Sequence, residues 1–263
     1  MNYTTPSGFR DVLADEAEAR EAIVRRVQDC FARAGYVPIE TPTLENMEVM
    51  KAGGRFPASP FKFFDAQGDL VTMRPDVTLQ VARICATRLQ GVEGPFRFRY
   101  TQRVFREREG LLGADAREKK QIGIECVGMG GPEADAEVIG LFARAMQAAG
   151  VDDYKLSLAT VGVLRALLAA SGAPEAWKGQ VLESFHASNF VELDQLCDQD
   201  ACQGSEFAGA IARLARIRGG REAIEEVRSL VGPLGCADAL DEFKRTYELL
   251  EAAVRKLHAK GGK

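Results

Sequence analysis

The sequence predicts an α+β fold up to about residue 160 and a mostly helical region after it. Three observations carry this. Between residues 15 and 34, Ala19, Ile23, Val27, Cys30, Phe31 and Ala34 recur at three- and four-residue steps, the spacing of an amphipathic helix. The runs Phe96–Phe105 and Lys119–Val127 alternate instead, as strands with two unlike faces do. From Val161 onward every apolar repeat is helical, with short Gly, Pro or Asn breaks. The expected domains are therefore 1–160 and 161–263.

The elements follow in order. Gly35 stops the first helix, since glycine accepts the left-handed conformation that often ends one. Tyr36 to Ile39 reads as a short strand, with Pro42 as a breaker after it. Phe61–Asp65 and Leu70–Arg74, joined by Ala66-Gln-Gly-Asp, read as a β-hairpin. Pro75 ends it, and a helix is expected from about Val77 to Arg88. The two alternating runs form a long hairpin across a charged loop from Glu107 to Glu118. Pro132 opens a helix that presents Val138, Leu141, Phe142, Ala145 and Ala149 and ends at Gly150. Tyr154–Thr160 is expected as one more strand. Beyond it, Leu164, Leu167 and Leu168, then Val181, Leu182 and Phe185, then Val191, Leu193 and Leu196, then 243–257 mark helices.

Composition excludes several classes. The 263 residues are 46% hydrophobic and 27% charged, which suits a globular chain and argues against disorder. The formal charge of −4 argues against a protein that grips long nucleic acid. No apolar run spans a membrane and the amino terminus lacks a signal-peptide core, so a cytoplasmic location is expected. Cys197 and Cys202 are the one near pair among six cysteines, a poor zinc spacing, so reduced thiols and no metal are expected. With only His186 and His258, a histidine-based hydrolase or a histidine metal site is disfavoured.

The second alternating run is the most informative feature. Gln121, Gly123 and Glu125 share one face; Ile122, Ile124 and Cys126 share the other. The polar face either meets water or lines a pocket, with Gln121 and Glu125 about 13 Å apart along the strand and Gly123 leaving room between them. On the first run Phe96, Phe98, Tyr100, Val104 and Arg106 share a face. An arginine there needs an anionic partner, either Glu125 or a ligand carboxylate or phosphate. Asp76 either caps the helix that follows it or, with Thr78, receives a ligand ammonium. Arg97, Arg99, Arg103, Arg106 and Arg108 suit either phosphates or nearby acidic side chains.

Taken in order, Pro6-Ser-Gly-Phe-Arg-Asp, Glu40-Thr-Pro-Thr-Leu-Glu, Met73-Arg-Pro-Asp-Val-Thr, Val104-Phe-Arg and Gln121-Ile-Gly-Ile-Glu-Cys-Val-Gly resemble the catalytic-domain half of histidyl-tRNA synthetase and its paralogue, the regulatory subunit of ATP phosphoribosyltransferase. The resemblance covers about residues 4–160 in motifs and continues less specifically as a helical insertion-like region. It implies a class II synthetase-like antiparallel sheet flanked by helices, with Pro42 at a homodimer interface. It also implies that Asp76, Thr78 and Gln121 hold a histidine ammonium, that Arg106 faces the carboxylate and that Glu125 faces the imidazole.

The departures favour the paralogue. An active synthetase carries Phe-Arg-any-Glu where this chain has Phe105-Arg106-Glu107-Arg108, and an aromatic residue against adenine where this chain has Lys119. Losing both cripples adenylate formation, which depends on positioning and charge stabilisation. Asp76, one methylene shorter than the synthetase glutamate, points the same way. The chain stops at Lys263, where the family's catalytic-like domain resumes, so an incomplete far wall is expected. The resemblance thus implies a non-catalytic, cofactor-free regulatory subunit. Its partners would be L-histidine and the short-form ATP phosphoribosyltransferase catalytic subunit, in a hetero-oligomer built on a homodimer. The alternative is a histidyl-tRNA synthetase catalytic-domain fragment.

Overall fold

In the computed structural model, residues 4–53, 61–106, 116–198 and 205–261 are described, with 255–261 by backbone only. Helix α1 (Ala14–Arg33) buries Val27 and Phe31 and stops as the sequence predicts. Gly35 takes a φ of 85°, and the Tyr36 N–H reaches back to the Phe31 carbonyl at 3.2 Å. The chain then enters β1 (Val37–Pro38), which pairs in parallel with β5 (Phe96–Phe105). β5 pairs antiparallel with β6 (Glu118–Val127), giving a three-stranded sheet of order β1-β5-β6.

Register decides the faces of this sheet. Phe98 lies opposite Glu125, Tyr100 opposite Gly123 and Gln102 opposite Gln121, so these six share a side. The other side carries Ile122, Ile124 and Cys126, which pack with Val27 and Phe31 of α1 and with Leu141 and Ala145 of α4 (Pro132–Ala149). Arg97 donates to Glu137 on α4 at 3.0 Å and holds its carboxyl below the usual range.

A second small sheet has the order β2-β4-β3, from β2 (Leu44–Asn46), β3 (Lys62–Phe64) and β4 (Leu70–Met73). The Asp65 carboxylate accepts from the N–H groups of Gln67 and Asp69, both at 2.9 Å, and closes the expected β3–β4 turn. β2 and the helix after it, α2 (Met47–Ala52), have no counterpart in the sequence expectations. Three residues carry no period, and β2 exists by pairing with β4. The buried Glu45 carboxylate is held there by Arg83 at 2.8 Å.

Arg74 joins the two sheets. It is 5% exposed and donates to the carbonyls of Arg103 and Thr41, both at 2.7 Å, and of Pro42 at 3.0 Å. Burial of so costly a group is offset by these bonds. Its own carbonyl accepts from the Phe105 N–H at 2.9 Å, which sets the start of α3 (Thr78–Thr87) beside the end of β5. Val77, Val81 and Cys85 then pack against Tyr100 and Val104.

The expected strand at 154–160 is absent. A ladder requires a partner, and no described strand lies alongside; the Tyr154 hydroxyl instead donates to the Ala143 carbonyl at 3.1 Å. The helical expectation after 161 holds, with α5 (Gly162–Ala170), α6 (Glu175–His186), α7 (Phe190–Cys197), α8 (Glu206–Leu214), α9 (Arg221–Val231) and α10 (Asp241–Gly261). Leu164, Leu167, Trp177, Val181, Leu193 and Ile211 form their core. The Trp177 indole N–H donates to the Leu196 carbonyl at 2.7 Å. Asn189 and Ser205 cap α7 and α8 by accepting from Glu192 N–H and Ala208 N–H. Val191, placed in the apolar repeat by its spacing, is exposed, as is Phe142 on α4.

By contacts the chain divides into two units, Met1–Gly130 with Glu137–Tyr154 and Gly131–Ala136 with Lys155–Lys263. Among the described residues, no helix is long and apolar enough to cross a membrane, and no group of three or more His, Cys, Asp or Glu side chains is placed to hold a metal ion. Glu107 and Arg108, most of their loop, Cys202 and the His258 side chain lie outside the described residues.

Candidate functional site

The side of β5–β6 away from α1 carries the polar cluster. β6 supplies Gln121, Gly123 and Glu125, β5 supplies Tyr100, and the start of α3 brings Thr78 against them. The Thr78 hydroxyl donates to Glu125 Oε1 at 2.7 Å, and the Tyr100 hydroxyl donates to the same oxygen at 3.4 Å. The Gln121 amide nitrogen donates to the Tyr100 hydroxyl at 3.3 Å. Gln121 Oε1 is buried and has no hydrogen-bond partner among the described residues. A buried acceptor without a donor is rare in folded proteins and marks a place where a further donor fits.

Electrostatics separate the two carboxylates. Burial pushes the Glu125 carboxyl up from its ordinary value, the nearby Asp76 charge adds to this, and the bonds from Thr78 and Tyr100 oppose it. Burial, with the Glu125 and Asp76 charges behind it, also pushes the Tyr100 phenol far above its ordinary value, so it stays protonated. Asp76 has fixed partners: one oxygen accepts from the Thr78 N–H at 2.7 Å, and the other pairs with Arg106 at 3.3 Å.

Arg106 is therefore the partner of Asp76 and the Pro75 carbonyl (2.8 Å), not of Glu125. The reason is register: Glu125 lies opposite Phe98, and Arg106 follows the far end of β5. The Asp76 cap exists but is displaced, since the N-cap position is Val77 and Asp76 precedes it by one residue. All five expected site residues thus fall in one region, in two linked groups: Asp76 with Arg106, and Thr78 with Gln121 and Glu125. Tyr100 was not among the expected site residues, although Phe96, Phe98, Tyr100 and Val104 were read as one face.

The basic ribbon has internal partners wherever it is described. Arg97 bonds Glu137, Arg99 bonds Gln28 and the Tyr36 carbonyl, and Arg103 bonds Glu118. A polar cleft of about 360 Å³ between Gly8–Val12 and α1 is lined by Arg10, Arg20, Arg103 and Lys120. Three of those cations already face carboxylates, Glu16 for Arg10 and Arg20 and Glu118 for Arg103. Arg103 and Lys120 also stand on the other side of the sheet from Gln121. Lys119 is exposed on the Gln121 side, opposite Val104.

Gly123 is required by close approach. A Cβ there would lie 2.4 Å from the Tyr100 hydroxyl, and Tyr100 is only 4% exposed, so its ring has no room to yield. Gly123→Ala is expected to destabilise this unit by about 1–3 kcal/mol, as overpacked sites do, read as a lower thermal midpoint. An unchanged midpoint would show that Tyr100 moves freely.

Residues 8–260 match the histidyl-tRNA synthetase family model. The chain belongs to that family. Its curated relatives include the ATP phosphoribosyltransferase regulatory subunit of Moorella thermoacetica, 35% identical over 252 residues, which are 94% of this chain and 64% of that protein. A solved Bacillus halodurans structure, described as an ATP phosphoribosyltransferase regulatory subunit/histidyl-tRNA synthetase, superposes with a TM-score of 0.83 at 30% identity, over 95% of this chain and 65% of that one. Histidyl-tRNA synthetase from Nostoc shares the fold at 19% identity, with a TM-score of 0.70 over 100% of this chain and 59% of that one. The α+β, class II synthetase-like expectation is thereby met. The chain spans about two thirds of the length of the Moorella and Bacillus relatives.

Proposed function

We propose that this chain is a non-catalytic regulatory subunit of ATP phosphoribosyltransferase. It binds the short-form catalytic subunit, activates it, and senses histidine through Asp76, Thr78, Arg106, Gln121 and Glu125, so that the end product inhibits histidine biosynthesis. The names of its curated relatives support the regulatory role. The observation that carries the sensor is the buried, partnerless Gln121 Oε1 beside Glu125 and Thr78.

The chemistry suits an amino acid with a donor at each end. An ammonium brings three donors and no acceptor. Gln121 Oε1, the remaining lone pairs of the Thr78 hydroxyl and the Asp76 carboxylate are acceptors for it. Glu125 is the acceptor for an imidazole N–H, and Arg106 is the cation for the ligand carboxylate. Lys119, in place of an adenine-stacking ring, weakens the ATP half. The coupling is ordinary linkage: histidine shifts the assembly toward the arrangement it binds better. The proposal includes a cytoplasmic hetero-oligomer built on a homodimer through the Pro42 region, with domains at 1–160 and 161–263.

The test is phosphoribosyl-ATP formation by a short-form catalytic subunit, with and without this chain, across a histidine titration. The expected result is a higher rate on adding the chain, reversed by histidine. No change in rate, together with histidine-dependent ATP–pyrophosphate exchange by the chain alone, would replace the proposal with a ligase fragment.

A further inference from the structure

We infer that Tyr100 is a positioning residue that makes this site selective for ligands bearing an ammonium group. The inference rests on the amino-acid site proposed above and adds a residue to it. A phenol has one proton and can also accept. Here the proton is directed at Glu125 Oε1, at 3.4 Å. The oxygen is then left as an acceptor, and the Gln121 amide meets it with its nitrogen, at 3.3 Å. The other end of that amide, Oε1, is consequently turned away from the tyrosine and left buried without a donor.

The reverse orientation is disfavoured. It would set the carboxamide oxygen against a hydroxyl oxygen whose proton is already committed to Glu125. Ionising the phenol would make this worse, since a phenolate oxygen can only accept, and burial with the Glu125 charge also disfavours that ionisation. Tyr100 is itself fixed, 4% exposed and packed with Val77, Val81 and Val104, and its hydroxyl fills the space over Gly123. One buried hydroxyl thus sets the amide so that an acceptor, not a donor, faces the ligand. A cationic ammonium gains from that acceptor; a ligand lacking the ammonium gains nothing.

The experiment is calorimetric titration of the full chain and of its Tyr100→Phe variant with histidine, histidinol and imidazolepropionate. The first two ligands carry the ammonium and the third does not. Phenylalanine keeps the ring and its packing, and removes only the hydroxyl. Affinity for histidine and for histidinol is expected to fall about tenfold, the scale of one hydrogen bond to a charged group, while imidazolepropionate changes by less than about twofold. An equal loss for all three ligands would overturn the inference, since a general loss of packing does not distinguish them. Unchanged histidine affinity would overturn it as well.

Gln121→Leu provides a second arm that does not depend on the Tyr100 variant folding. It is expected to show the same selective loss, and in a Tyr100→Phe background to add little to it. Full additivity of the two losses would refute the coupling between them. Failure of the unaltered chain to bind histidine at all would instead remove the proposed sensor, and this inference with it.

Discussion

Replacing Glu125 with Ala is expected to lower histidine affinity about a hundredfold or more, the scale on which losing one partner of a buried charged contact acts. Glu125 sits at the convergence of the site: it accepts from Thr78 at 2.7 Å and from Tyr100 at 3.4 Å, and the absence of a side chain at Gly123 lets the Tyr100 hydroxyl reach it. The same substitution should remove histidine inhibition of the assembled enzyme. Inhibition that persists at unaltered histidine concentrations would place the sensor elsewhere.

The carboxyl also predicts how stability depends on pH. Its folded value is raised, chiefly by burial, so between the unfolded and folded values the folded state binds more protons than the unfolded one. Its contribution is therefore most favourable below the ordinary carboxylate range and is lost as pH rises through the raised value. Glu125→Gln keeps the shape and abolishes the titration. The difference in thermal midpoint between Glu125→Gln and the unaltered chain should grow in favour of the variant as pH rises from 4 to 8, on the scale at which carboxylates titrate. A constant difference would mean that Glu125 titrates as an exposed carboxyl does.

Much of this site could be read from period-2 alternation alone. It put Gln121, Gly123 and Glu125 on one side of β6 and left Ile122, Ile124 and Cys126 for the core, as the structure shows. Alternation gives a face but no register. Arg106 and Glu125 were placed on a common face, yet Phe98 is the residue opposite Glu125, and Arg106 follows the far end of β5, where it pairs with Asp76 instead. The same gap hid Tyr100, because its place over Gly123 depends on how the hairpin closes. Other misses are also tertiary. β2 exists through its neighbour β4, whereas 154–160 has the pattern of a strand and no described partner. Helical spacing likewise marks a stripe without its width, which is why Val191 is exposed beside the buried Leu193.

Leu164→Ala is expected to have the largest effect on stability, about 3–5 kcal/mol, because the lost transfer energy and the cavity left behind add together. Leu164 is 0% exposed within the helical core, between the equally buried Leu167 and Val163. A domain holds only about 5–15 kcal/mol in total, so this one change removes a large part of it. The chain provides its own local reporter. Its single tryptophan, Trp177, is 4% exposed in that same core and hydrogen-bonded to Leu196. Its emission therefore follows the helical unit and not the sheet that carries Glu125. In urea the emission midpoint should fall by about 1–2 M, given the slopes usual for domains of this size. Histidine binding, measured by calorimetry below that transition, reports the other unit. If binding is unchanged while the emission midpoint falls, the helical core and the amino-acid site are energetically separate. If both fall together, the two units fold as one cooperative body, and a substitution buried among the helices would then act on the sensor through global stability alone.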